Sequence, residues 1–184
     1  MSAPATPITS PVKSAGPSRR LLAGELPLRF ALVAAAVCVC YLFEWHWLRW
    51  LTAEFNSRLD LLAGVHLQRI SYDTVAYNGK VYKYVIACTF ADVWCGAIPL
   101  LWSLRASVSR NLYLIAIFTV GLFAFNVVRL SISDVLFAAG LSWDLAHNVL
   151  SGVAYYLIWR WIWAHRPWGQ ADADRVMATS PAAS

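Results

Sequence analysis

Apolar residues along the chain gather in four stretches, at about residues 26–51, 85–104, 111–130 and 145–164. Each stretch can supply the roughly 20 residues that a helix needs to cross a bilayer. The pattern therefore predicts an all-α membrane protein, built as a bundle of about four transmembrane helices.

Polar sequence separates the first two stretches, and part of it has strand character. Residues 67–84 (LQRISYDTVAYNGKVYKY) place Asn78 and Gly79 between two runs that are rich in Val and Tyr. Asn-Gly is a preferred type I′ turn because both central residues of that turn need a positive φ. We therefore predict a short outer β-hairpin that leads directly into the second helix.

The two ends of the chain offer little to bury. Residues 1–24 are rich in Pro, Ser and Ala, and residues 169–184 are similar. We expect both to be disordered cytoplasmic tails, on either side of a transmembrane domain at 25–168. The first apolar run begins only at Leu26 and no small-residue cleavage site follows it, so we expect no cleaved signal peptide.

Composition agrees with a membrane environment. Hydrophobic residues make up 59% of the 184 residues and charged residues 14%, and ten tryptophans are many for this length. The lipid bilayer is therefore an expected partner. The net charge of +5 lacks the clustered basic face with interleaved aromatics that nucleic acid would need, so we expect no nucleic-acid partner.

The distribution of basic residues predicts the orientation. Lysine and arginine lie before the first stretch, between the second and third, and around the end of the fourth: Lys13, Arg19, Arg20, Arg29, Arg105, Arg110, Arg160, Arg166 and Arg175. Residues 131–146 contain none. The positive-inside rule then places both termini in the cytoplasm of a multi-pass plasma (inner) membrane protein, with 52–84 and 131–146 outside.

This orientation brings three chemically capable side chains to the outer face. Cys88 begins the second helix, Arg129 ends the third and His147 begins the fourth. A helix N-terminus and a nearby cation both lower a thiol pKa, which would favour Cys88 as a nucleophile. His147 could act as general base and then general acid. An inert packing cysteine, a snorkelling arginine and an interfacial histidine remain the structural alternatives.

Three further polar residues could support this set. Asn126 lies one turn before Arg129 and could line the same site. Asp92 lies one turn after Cys88, where we expect it to pair with Arg129 or, failing that, to orient His147. Asp144 could cap the last helix or orient the imidazole ring.

The cysteine pattern bears on cofactors. The four cysteines, at 38, 40, 88 and 95, do not form a Cys/His cluster with zinc spacing. We therefore expect no zinc site.

The order of these motifs resembles the exosortase/archaeosortase family of membrane-embedded sorting enzymes. The resemblance covers about residues 64–156. It takes in GVHLQRISYDTVAYNGKVYKY leading into VIACT, then NVVRL, then HNVLSG. In that family a cysteine, an arginine and a histidine in this order are catalytic, which maps to Cys88, Arg129 and His147. Phe90 stands where the family commonly has glycine, and the chain is short, so it resembles a minimal core form.

The resemblance implies a function. Cys88 would attack a peptide bond beside the C-terminal transmembrane sorting signal of an exported protein. The resulting thioester would pass to an amine acceptor or to water, on the outer face of the membrane. The implied reaction requires no metal and no organic cofactor, so we expect neither.

Three alternatives stay open. Cys95 could be the nucleophile instead, although it lies two turns deeper than Cys88. The chain could be a non-catalytic scaffold or assembly subunit. A quinone-linked thiol oxidoreductase is disfavoured, because Cys38 and Cys40 point to different sides of one helix and Cys88 is too far along its helix from Cys95.

Overall fold

The structure is a computed structural model that describes residues 18–165, with side chains from residue 26 onward. Its elements follow one another as α1 (Ser18–Cys40), α2 (His46–Leu62), β1 (Gln68–Ser71), β2 (Thr74–Tyr77), β3 (Lys80–Lys83), α3 (Ile86–Thr89), α4 (Ala91–Leu101), α5 (Val108–Ala138) and α6 (Trp143–Ala164). Helix α1 thus begins inside the segment predicted as an N-terminal tail. The remainder of that tail and the C-terminal tail lie outside the described residues.

The prediction of a bundle of four transmembrane helices is wrong. Within residues 18–165, only α5 is long and apolar enough to cross a membrane, with 31 residues and a mean hydropathy of 2.0. Each of the first two apolar stretches divides into two helices, at Trp45 and Phe90, whose φ angles of 49° and 55° are left-handed. Helix α4 then has only 11 residues, about half of what a bilayer requires.

The predicted hairpin is part of a larger sheet. Strands β1, β2 and β3 form a three-stranded antiparallel sheet in chain order. Asn78 and Gly79 join β2 to β3 with φ angles of 47° and 76°, the positive values that a type I′ turn requires. The prediction omitted β1, which pairs with β2 from Gln68 to Ser71 with an irregular register.

Helix α5 also extends further than predicted. It continues to Ala138, so the first half of the segment 131–146, which was expected to be an outer loop, belongs to α5. The next helix begins at Trp143, where the Ser142 hydroxyl accepts a hydrogen bond from the Leu145 backbone N–H and caps the helix. As a result Asp134 lies on α5, where it is buried.

Two apolar clusters hold these elements together. The larger one joins α4, α5 and α6 and includes Phe90, Val93, Phe118 and Ile158. The smaller one joins α2, the sheet and α5; its buried members are Ala53, Val75, Tyr84 and Leu130, and Cys88 packs against it. Cys88 and Phe90 are two residues apart, so the short helix α3 lies where the two clusters meet.

Candidate active site

Cys88 lies on α3, a single helical turn between the sheet and α4. Its backbone N–H donates to the Val85 carbonyl at 2.9 Å, and the Thr89 hydroxyl donates to the Ile86 carbonyl at 2.7 Å. The left-handed Phe90 then ends the turn and starts α4 in a new direction. The thiol is therefore held on a tightly bonded turn, half-buried among side chains from three elements.

Asn126 connects this turn to Arg129. Its Nδ2 donates to the Cys88 carbonyl oxygen at 2.8 Å, and its Oδ1 accepts from Arg129 Nη2 at 2.8 Å. The Asn126 side chain has no exposed surface. Asn126 was expected to line the same site as Arg129. In the structure its amide group bonds to both Arg129 and the Cys88 backbone.

Arg129 is buried and bonded on three sides. Besides Asn126, it donates from Nη1 to the Ser151 hydroxyl on α6 at 2.8 Å. Its guanidinium lies over the Phe90 ring, 5.0 Å from the centroid, a favourable cation–π arrangement. Ser151 was missed from the sequence, although it lies one helical turn after His147. Arg129 therefore joins the Cys88 turn, α5 and α6.

His147 shares a cavity with Cys88. The cavity has a volume of about 20 Å³, and its lining includes Tyr82, Asp134 and Trp143 besides these two. The imidazole stacks on Trp143, with ring centroids 4.9 Å apart and planes at 20°. Its Nδ1 is buried and has no hydrogen-bond partner within the described part of the chain. The structure thus brings together Cys88, Arg129 and His147, from three different helices.

Burial governs the electrostatics of the thiol and the ring. Burial raises the pKa of the Cys88 thiol, and the hydrogen bond from Val85 and the charge of Arg129 only partly oppose this. The expectation of a lowered thiol pKa was therefore wrong. Burial and the Arg129 charge lower the pKa of His147 to about 4, with Asp144 acting in the opposite direction. At neutral pH both the thiol and the imidazole are uncharged.

Asp92 and Asp144, the two carboxylates expected to support the site, do not make the contacts that were predicted for them. Asp92 accepts hydrogen bonds from Tyr41 at 3.2 Å and Tyr155 at 2.9 Å, so tyrosines occupy the place expected for Arg129. Asp144 is exposed in the first turn of α6, and the helix cap is Ser142. Asp144 therefore acts on His147 through its charge.

A buried polar network that the sequence reading missed lies behind the cavity. Asn56 Nδ2 is 2.7 Å from Asp60, 2.9 Å from the Tyr84 hydroxyl and 2.6 Å from Asp134. Because Asp134 also lines the cavity, this network reaches Cys88 and His147. Thr52, Asn56 and Asp60 recur every four residues on α2, a signal that went unused because the segment was interpreted as an outer loop.

Neither a metal centre nor a relative can be assigned. Within residues 18–165, no group of three or more His, Cys, Asp or Glu side chains could hold a metal ion. Comparisons with protein-family models, with curated proteins and with solved structures find no match for this chain.

Proposed function

We propose that this chain is a membrane-bound cysteine peptidase or transpeptidase that cleaves C-terminal sorting signals of exported proteins. The observation that carries the proposal is the shared cavity of Cys88 and His147, which lie on separate helices, with Arg129 tied through Asn126 to the Cys88 backbone. A nucleophile, a proton acceptor and a cation within one buried site are the groups that acyl transfer requires.

The neutral state of the thiol and the ring determines the first step. Because neither group is ionised at rest, His147 takes the Cys88 proton as the sulfur bonds to the substrate carbonyl carbon. The carbonyl π electrons move onto oxygen. Collapse of that oxyanion breaks the C–N bond, and the leaving amine receives the proton from His147. An amine or water then attacks the thioester, and the thiol is restored.

Arg129 is suited to the developing negative charge. Asn126 and Ser151 occupy its two Nη groups, whereas its Nε is buried with no hydrogen-bond partner within the described residues. We infer that the Nε–H is the donor directed at the oxyanion. A fixed, desolvated donor of this kind contributes more than a hydrated one because it needs little reorganisation during the reaction.

The same proposal places the site near the outer surface of the membrane. Arg105 lies before α5 and Arg110 lies in its first turn, whereas residues 131–146 contain no lysine or arginine. The positive-inside rule therefore directs the C-terminal end of α5 outward. Apolar side chains on α5 and α6 face outward from the protein: Leu112, Ile117, Val120, Val128, Val149 and Val153 are exposed. Lipid is the solvent that would cover such a surface.

A non-catalytic scaffold is the second candidate, and the size of the cavity favours it. About 20 Å³ holds a water molecule but not a peptide bond. Catalysis therefore requires Trp143 or Tyr82 to move aside when substrate binds, whereas a scaffold requires no movement. Retention of a closed cavity with substrate present would support the scaffold.

The test follows processing of a membrane-anchored protein with a C-terminal helix and a basic tail, co-expressed with the full chain. We expect Cys88→Ala, Arg129→Gln and His147→Ala each to abolish processing, while Cys95→Ala leaves it unchanged. Hydroxylamine should cleave the thioester and release the substrate fragment as a hydroxamate, and this product should be absent with Cys88→Ala. Continued processing by Cys88→Ala would refute the proposal.

A further inference from the structure

A second pair of cysteines lies where α1 packs against α4, apart from the Cys88 cavity. Cys40 is the last residue of α1 and is buried, whereas Cys95 lies in the middle of α4 and is partly exposed. The two residues line the same cavity, and each thiol affects the pKa of the other. The sequence suggested two other cysteine pairs, Cys38 with Cys40 and Cys88 with Cys95. The pair of Cys40 and Cys95 was not considered.

Contacts on either side of the pair establish the register of the two helices. Arg29, near the middle of α1, donates a hydrogen bond to the Trp102 carbonyl, just after α4, at 2.9 Å. One turn before Cys40, Val37 approaches Gly96 so closely that a Cβ there would lie 3.2 Å from its methyl group. Just after Cys40, the Tyr41 hydroxyl donates to Asp92 at 3.2 Å.

These contacts run in opposite directions along the two helices. Moving from Val37 to Tyr41 along α1 corresponds to moving from Gly96 to Asp92 along α4. An antiparallel register with those end points places Cys40 alongside residues 92–96 of α4, the segment that contains Cys95. Because Gly96 has no side chain, the two backbones can approach closely here, as a disulfide requires, with Cα atoms less than about 7 Å apart.

The pair can be reached from outside. Both cysteines line a cavity of about 590 Å³, whose other walls are largely aromatic and include Phe43, Trp45 and Trp47. Because Cys95 is the more exposed of the two thiols, a disulfide reagent entering this cavity meets it first.

We propose that Cys40 and Cys95 form a reversible dithiol–disulfide site that exchanges with small disulfides and, when oxidised, links α1 to α4. The Cys95 thiolate attacks one sulfur of the reagent, which breaks the S–S bond and releases one thiol. The Cys40 thiolate then attacks the Cys95 sulfur and releases the second thiol. The protein loses two electrons and two protons, and the reagent gains both.

The experiment exposes the full-length, detergent-solubilised chain to glutathione disulfide and measures its intact mass and its maleimide-reactive thiols after denaturation. Of the four free cysteines, we expect the wild type to lose the reactivity of two and to retain no glutathione. Digestion without reductant should yield one cross-linked pair of peptides, containing Cys40 and Cys95, which dithiothreitol separates.

Single variants test the order of attack. Cys40→Ser should trap one glutathione on Cys95, because the second thiol is missing, whereas Cys95→Ser should take up none at Cys40. Cys38→Ser should still form the cross-link, as should Cys88→Ala, which separates this site from the proposed peptidase. A wild type that keeps all its reactive thiols, retains glutathione, or yields a cross-link through Cys38 or Cys88 would overturn the inference.

Discussion

The side chain of Asn126 donates a 2.8 Å hydrogen bond to the backbone carbonyl of Cys88. This bond attaches the turn that carries the candidate nucleophile to the middle of the longest helix. The amide oxygen of Asn126 accepts a hydrogen bond from Arg129. The fully buried side chain at position 126 must therefore supply both a hydrogen-bond donor and an acceptor. Neither a carboxylate nor an apolar residue can meet both requirements.

Replacing this amide should therefore destabilise the fold. In Asn126→Leu the Cys88 carbonyl and one Arg129 N–H lose their partners, and each unsatisfied buried group costs about 1–3 kcal/mol. We expect the free energy of unfolding in detergent to fall by about 2–4 kcal/mol, as measured by denaturant titration. Asn148→Leu is the matched control, because Asn148 is exposed on α6. Equal stability of the two variants would show that the Asn126 bonds are unimportant.

Arg129 should influence the ionisation of Cys88. Its charge is among the causes that lower the thiol pKa, although burial raises that pKa more. We expect the rate of iodoacetamide labelling at Cys88 to rise with a midpoint above the usual value for cysteine, and Arg129→Gln to move the midpoint further upward. The measurement uses a chain in which the other three cysteines are serine. A midpoint below that of free cysteine would contradict the burial argument.

The sequence was sufficient for features that depend on residue type within a short window. Asn78 and Gly79 are the residues that tolerate positive φ, so their turn could be located directly. Trp45 and Phe90 adopt the same left-handed conformation without being residues that favour it, and the helix breaks they cause were therefore not visible in the hydropathy. This difference explains why continuous spans were predicted where the structure has pairs of shorter helices.

The polar contacts of the candidate site were also only partly predictable from the sequence. Cys88, Arg129 and His147 were noticed because the predicted helix ends and the positive-inside orientation place all three at the outer face. Ser151 and Asp134 matter through contacts with residues distant in the chain, and neither has a local pattern that distinguishes it from an ordinary helix residue. The surroundings of Asp92 were mispredicted for this reason too, since two tyrosines, one from α6 and one just after α1, reach it.

The buried imidazole should make stability depend on pH. In the folded chain the pKa of His147 is lowered to about 4, whereas an unfolded histidine has a pKa near 6.5. The unfolded state therefore binds more protons between these values, so stability is fully present above pH 6.5 and is lost as the pH falls toward 4. We expect a loss of about 1–2 kcal/mol, less than the full shift would give because the ring is only partly buried.

The variant His147→Gln isolates this contribution. Its free energy of unfolding should fall less than that of the wild type between pH 7 and pH 4.5, while buried carboxyls such as Asp60 titrate alike in both. His66→Gln, at an exposed histidine, should retain the wild-type dependence. An unchanged pH profile in His147→Gln would mean that the ring is not desolvated.

The buried ion pair of Arg49 and Asp73 should matter far more to stability than an exposed pair on the same helix. Arg49 bonds to Asp73 and also donates from Nε to the Tyr84 carbonyl at 2.8 Å, so it attaches α2 to the strand end that leads to Cys88. Arg49→Ala leaves a buried carboxylate unpaired, which typically costs about 3–5 kcal/mol.

Arg58→Ala is the control: its pair with Glu54 is exposed, and such pairs contribute less than about 1 kcal/mol. Denaturant unfolding of both variants measures the difference, and similar losses would show that the Arg49 pair is effectively hydrated. If the strand end is loosened as well, iodoacetamide should label Cys88 faster in Arg49→Ala than in Arg58→Ala.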